Sequence, residues 1–102
     1  MIKVSVMYPS GAGGRFDMDY YVGRHMRLVQ DELGGALKGI AVDRGIDSPD
    51  APAPYVAIGH LYFDSVEAYR DAFEPKAGTI LGDIPNYTDI EPVVQVSAVE
   101  VL

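Results

Sequence analysis

The sequence predicts an α+β domain of order βαββαβ, the ferredoxin-like split βαβ arrangement, in which a four-stranded antiparallel sheet carries helices on one face. Three observations lead there. Ile2, Val4, Val6 and Tyr8 alternate with Lys3, Ser5 and Met7, the period-two pattern of a half-buried strand. From Met18 to Leu33 the apolar residues recur instead at helical spacing, about 100° per residue. Segments rich in β-branched and aromatic residues then return three times, with one further helical pattern before the last of them.

Each element follows from its local chemistry. Pro9, Gly11, Gly13 and Gly14 break the first strand and predict a turn over Pro9–Gly14. Asp17 is a suitable N-cap for the first helix, Asp19 adds negative charge to its first turn, and Gly34 and Gly35 end it. Tyr21, Val22, Met26, Leu28, Val29 and Leu33 fall on the apolar side of that helix, with His25 near the middle; Asp19, Gly23, Arg27 and Gln30 fall opposite. Leu37 to Arg44 fits a second strand. Asp47, Asp50, Pro49, Pro52 and Pro54 make residues 45–54 an exposed loop. Tyr55 to Phe63 fits a third strand. Asp64, with Glu67 three residues later, reads as a capping box opening a second helix that ends near Phe73, with Pro75 just beyond. A turn-rich segment through Asn86 leads to a last strand within Pro92–Val101.

Size and composition bound the function. At 102 residues the chain is a single domain over 1–102, without room for a separate cofactor-binding unit. Fifteen acidic against 8 basic residues give a net charge of -7, which argues against nucleic acid and against an anionic membrane surface as partners. The absence of cysteine removes disulfides, thiolate nucleophiles and thiolate metal ligands. The start of the chain alternates where a signal peptide would be continuously apolar, so the expected compartment is cytoplasmic. In the third strand Val56, Ile58 and Tyr62 share one face while Ala57, Leu61 and Phe63 share the other. Neither face reads as solvated, and this predicts a homodimer that packs sheet against sheet.

The candidate catalytic residue is His25, a titratable imidazole with an ordinary pKa of about 6.5 set in an apolar helix stripe. It reads either as a general acid or base facing a ligand, or as a core histidine bonded to a tyrosine or a main-chain carbonyl. Tyr21 shares its stripe, whereas Tyr20 is turned away by about 100°; Tyr21 either orients a ligand oxygen or sits as a rim aromatic. His60 and Tyr62 share a strand face and are candidates to complete a polar cluster, with an edge or interface position as the alternative for His60. Asn86 and Tyr87, just before the last strand, form a further candidate group, Asn86 because its amide can both donate and accept, and turn chemistry alone would also explain Asn86. Asp17 and Asp19 are helix-start residues before they are a carboxylate pair. The two histidines are 35 positions apart and form no recognisable metal-ligand spacing. The glycines at 11, 13 and 14 lack the following lysine of a nucleotide loop.

The run Phe16–Tyr21, the His25 that follows it with Leu28 and Val29, Asp64 and Ser65 after a strand ending in Phe63, and the segment Asp83 Ile84 Pro85 Asn86 Tyr87 Thr88 together resemble the EthD-like family. One departure is visible: Arg27 stands where that family commonly has proline, on the predicted outer face of the helix. The resemblance implies a dimeric α/β barrel with a small apolar cavity between each sheet and its helices. It implies no cofactor, neither metal nor flavin, and no assigned reaction, because fold does not fix function. The expected activity is that of a cofactor-independent enzyme, an oxygenase, isomerase or relative, acting on a small hydrophobic ligand of aromatic or carbonyl type. His25 would transfer the proton, and Tyr21, His60, Tyr62 and Asn86 would orient the ligand. A non-catalytic homodimer that binds a hydrophobic metabolite or assists an oxidoreductase is the alternative.

Overall fold

The alternating first segment forms strand β1, Ile2–Pro9, in the centre of a four-stranded sheet with β2 (Gly39–Arg44), β3 (Tyr55–Phe63) and β4 (Val93–Ala98). This computed structural model describes residues 1–11 and 13–102; Ala12, inside the predicted Pro9–Gly14 turn, lies outside the described residues. The strand order is β2-β3-β1-β4 and every pairing is antiparallel. Register places Val4 opposite Leu61 and Val96, and Ser5 opposite His60 and Gln95. Side chains alternate across a pleated sheet, so Val4, Tyr8, Ala57, Leu61 and Phe63 share the face on which the core is built. The strands lie close to their predicted spans, β2 starting at Gly39 instead of Leu37 and β4 covering only Val93–Ala98.

The first helix runs through residues 18–33 and changes type on the way: α-helical at Met18–Tyr20, π-helical over Tyr21–His25, then α-helical over Met26–Leu33. Asp17 caps it as the sequence predicts, accepting a hydrogen bond from the Tyr20 amide at 3.0 Å. Gly34 ends it with φ at +56°, a conformation that a side chain disfavours. Met26, Val29 and Leu33 are buried, each stabilising the fold by about 1.5–3 kcal/mol relative to exposure. Val22 departs from the predicted stripe and is 52 % exposed. The cause is the π turn, in which the Met26 amide reaches back to the Tyr21 carbonyl; the wider turn shifts the angular positions that uniform α-helical stepping assigns.

The second helix, Val66–Phe73, is capped by Ser65, whose hydroxyl accepts from the Ala68 amide at 3.0 Å. The predicted capping box on Asp64 is therefore one residue out, and Glu67 lies inside the first turn. The segment expected to be turns holds a short helix, Ala77–Gly82, flanked by 3₁₀ turns at Glu74–Lys76 and Ile84–Asn86. Six residues containing Gly78, Thr79 and Gly82 have little helical preference of their own, and burial of Ile80 in the common core holds them.

Residues 83–89 are tied back to the start of the first helix. Phe16 bridges to Thr88, the Asp17 amide donates to the Tyr87 carbonyl at 2.8 Å, and the Thr88 hydroxyl donates to the Arg15 carbonyl at 2.6 Å. These bonds place Asp83 and Tyr87 beside Tyr20, Tyr21 and His25, although more than 50 residues separate the two segments in the chain.

Candidate active site

His25 is 5 % exposed and sits at the end of the π turn, its ring stacked on that of Tyr21 with centroids 5.6 Å apart and planes 14° from parallel. Its Nδ1 lies 2.9 Å from Oδ2 of Asp83. The other oxygen of that carboxylate accepts from the Tyr20 hydroxyl at 2.7 Å and from the Asn86 amide at 2.9 Å. Burial opposes ionisation of Asp83, but the bonds from Tyr20, Asn86 and His25 outweigh it and hold the carboxyl below its ordinary range. An ionised carboxylate only accepts, so Nδ1 of His25 carries the proton in this bond. Burial, the larger influence on the imidazole, pulls its pKa down; Asp83 pulls it back without overcoming that. At neutral pH the ring is therefore uncharged, with Nε2 as a lone-pair acceptor.

Among the described residues Nε2 has no hydrogen-bond partner, and no fully buried polar atom is left unsatisfied, so Nε2 is not sealed off by protein. His25 lines a cavity of about 90 Å³ between the helices and the sheet. Val6, Leu61, Val29, Phe73, Ile80 and Val94 form much of its wall, and no charged side chain lines it among the described residues. Tyr8, Tyr21, Tyr69 and His25 are the lining residues that carry a polar group, and the wall itself is almost wholly apolar. Leu81 and Val94, each more than half exposed, mark its mouth.

Tyr8, from β1, is buried and its hydroxyl lies 2.6 Å from that of Tyr87. Burial raises the pKa of Tyr8, Tyr21 and Tyr87, so all three stay protonated and can donate. Phe16 packs edge-on to Tyr8, Tyr21 and Tyr87 at 5.0–5.5 Å, which fixes the rings around the imidazole. Gly59 on β3 makes room for the group: a Cβ there would collide with the Tyr21 hydroxyl.

Of the residues singled out in the sequence, His25 and Tyr21 line the cavity together. Asn86 joins through Asp83 without lining it. His60 and Tyr62 do not join: Gly59, Leu61 and Phe63 point towards the helices, and the strand's alternation sends His60 and Tyr62 to the opposite face. There His60 Nδ1 is 3.3 Å from the Ser5 hydroxyl and its Nε2 is 2.7 Å from Asp43. Sequence reasoning passed over Asp83 and Tyr8, turned Tyr20 away from the site, and took Tyr87 only as the neighbour of Asn86. Asp83 reads as an ordinary turn residue, and only the close return of residues 83–88 onto the first helix reveals its partners. No three His, Asp or Glu side chains gather as a metal site would require, among the described residues.

The sequence profile of the EthD domain matches residues 14–91, which includes every residue of the His25–Asp83 cluster. An EthD-like protein from Ralstonia eutropha JMP134, known by its crystal structure, is 45 % identical, with a TM-score of 0.93 over 98 % of this chain and 92 % of that one. Two more distant structures share the fold alone. One is an ethyl tert-butyl ether D (EthD) family protein from Bacillus halodurans C-125, at 15 % identity and TM-score 0.67 over 96 % of this chain and 97 % of its own. The other is HapK from Hahella chejuensis, at 13 % identity and TM-score 0.58 over 100 % and 97 %. No protein of curated function matches the chain. A profile that spans most of the sequence and a relative that shares nearly half its residues over the whole fold lead to one conclusion: the chain belongs to the EthD domain family.

Proposed function

We propose that this protein is an enzyme that moves a proton on a small hydrophobic carbonyl compound, with His25 as general base and no cofactor. One observation carries the reading: His25 lines an apolar cavity with one ring nitrogen bonded to an ionised carboxylate and the other without a protein partner among the described residues. That arrangement keeps the basic lone pair at Nε2 and stabilises the imidazolium that forms when a proton arrives. In the proposed step Nε2 takes a proton from a C–H beside the carbonyl, and the electron pair moves onto the carbonyl oxygen. A tyrosine hydroxyl at the cavity, Tyr8 or Tyr21, donates to that developing oxyanion. The imidazolium then returns the proton to a different atom of the same molecule, completing an isomerisation. A positioned base of this kind contributes about 10²- to 10⁴-fold in rate.

The test is a thermal-shift screen of small ketones, lactones, quinones and phenols against the wild type and His25→Gln, followed by turnover assays on the hits. A ligand that binds only the folded state raises its melting temperature. Hits whose turnover disappears in the variant support the reading. Hits whose affinity changes while no reaction occurs in either protein favour a binding or delivery role instead.

The homodimer belongs to the same proposal. The sheet face turned away from the helices carries Met7, Ile58 and Val93 in one row, and Val93 is 49 % exposed. A second copy packed on that face would bury it. Light scattering at micromolar concentration tests this, and a monomeric mass would overturn it. No helix among the described residues is long and apolar enough to cross a membrane.

A further inference from the structure

From the arrangement of polar groups in the cavity, we infer that the site selects an uncharged ligand that donates a hydrogen bond, a phenol or the enol form of a small ketone, and rejects carboxylates. The inference rests on reading the cavity as a ligand site and goes on to name which molecules enter it.

Three features of the cavity set the choice. The first is charge. No lysine or arginine lines it among the described residues, and the Asp83 carboxylate stands behind His25. A carboxylate ligand would lose its hydration in an apolar cavity, meet no positive partner and face a fixed negative charge through the width of one imidazole ring. Burying an unpaired charge on those terms costs several kcal/mol. A protein carrying net charge -7 adds a repelling background.

The second feature is the direction of the hydrogen bond. Because Nδ1–H of His25 donates to Asp83, the neutral imidazole has an acceptor at Nε2 and no donor to spare. A ligand group placed there must bring its own proton, as an O–H or an acidic C–H does, whereas a bare carbonyl or carboxylate oxygen there meets a lone pair. The tyrosines supply the complement. Tyr87 and Tyr21 both sit beside the Tyr8 hydroxyl, and where they donate to it the Tyr8 proton turns to the ligand. The lining thus presents an acceptor at His25 and donors at tyrosines, the pattern that suits a hydroxyl or an enol.

The third is size. A cavity of about 90 Å³ is far below the roughly 300–1,000 Å³ that encloses a drug-sized ligand. It takes one small ring, or one end of a longer apolar molecule that passes the exposed Leu81 and Val94 at its mouth.

Matched single-ring probes separate these features: phenol, toluene and benzoate at pH 7.5, titrated into the intact protein and followed through its histidine ring nitrogens by NMR. The chain has only 2 histidines, and a His60→Gln variant assigns them. Phenol is expected to shift the His25 resonances and leave those of His60 unchanged, with an affinity at least about tenfold above that of benzoate. Toluene should bind more weakly than phenol, and His25→Gln should remove that preference. Benzoate binding at His25 as tightly as phenol would overturn the selection against anions while leaving the cavity as a ligand site. Toluene equal to phenol would overturn the requirement for a donor. If no probe moves the His25 signals, both this inference and the ligand-site reading fall.

Discussion

Gly59 of β3 stands directly beneath the hydroxyl of Tyr21, and any side chain at that strand position would collide with it. The relationship runs through to the imidazole, because the Tyr21 ring stacks on His25. Gly59→Ala is therefore expected to displace the tyrosine, disturb the stack and intrude on the cavity. Overpacking of this kind costs about 1–3 kcal/mol. Urea denaturation would show it as a lower midpoint, with loss of ligand-induced thermal shifts. An alanine variant as stable as the wild type and equally able to bind would show that Tyr21 has no fixed place in the site.

His25→Gln keeps a polar side chain of similar length and removes the titratable base. Turnover of a confirmed substrate is expected to drop about 10²- to 10⁴-fold while the fold persists. In the wild type, kcat/KM should rise with pH, with its midpoint below the ordinary histidine value of about 6.5, because burial lowers the pKa of His25. A midpoint above that value would contradict a buried, neutral base.

Stability should follow pH through the same pair. Both His25 and Asp83 have folded-state pKa values below their ordinary ones. As pH falls through about 6.5 the unfolded chain takes up a proton at His25 before the native one does, so stability is lost in the acid direction. Asp83 adds a second loss further down: its stabilisation is full above the ordinary carboxylate range and disappears as pH falls through its lowered native pKa. Asp83→Asn should remove that second loss. It also replaces one of the two acceptor oxygens shared by Tyr20, Asn86 and His25 with an NH2 donor, and leaving a partner unsatisfied in this way costs about 1–3 kcal/mol at neutral pH. Since Asp83 raises the pKa of His25, the acid limb of the activity profile should move down in this variant. Urea titrations at several pH values, together with the rate profile, check both parts. An unchanged limb would mean that Asp83 does not act on the imidazole.

The sheet and the first helix were legible because their periods are distinct. Ile2, Val4, Val6 and Tyr8 cannot serve a helix face, and Met26, Val29 and Leu33 cannot serve a strand. The short helix at Ala77–Gly82 was not legible, because its one buried residue, Ile80, makes no repeat. His25 and Tyr21 stood out as polar groups in an apolar stripe. His60 and Tyr62 were grouped with them because a strand pattern shows which residues share a face without showing which face meets the helices. Asp83 illustrates the remaining limit: its role exists only through contacts made across more than 50 residues of chain, with Tyr20 and His25.

The hydroxyls of Tyr8 and Tyr87 form a buried pair at 2.6 Å, and their deletions should be unequal. Tyr87→Phe takes one partner from the Tyr8 hydroxyl, which keeps Tyr21 as a neighbour and lines the cavity, where water can also satisfy it. Tyr8→Phe leaves the Tyr87 hydroxyl alone; Tyr87 is 0 % exposed and does not line the cavity. The Tyr8 variant should therefore lose more stability, within the roughly 1–3 kcal/mol that an unsatisfied buried group costs. The double variant should lose less than the sum of the two, by about 0.5–3 kcal/mol, because the second deletion removes the group that the first one stranded. Chemical denaturation of all four proteins measures the cycle. Strict additivity would mean that the two hydroxyls do not depend on each other, and would remove Tyr87 from the group that sets the direction of the Tyr8 proton.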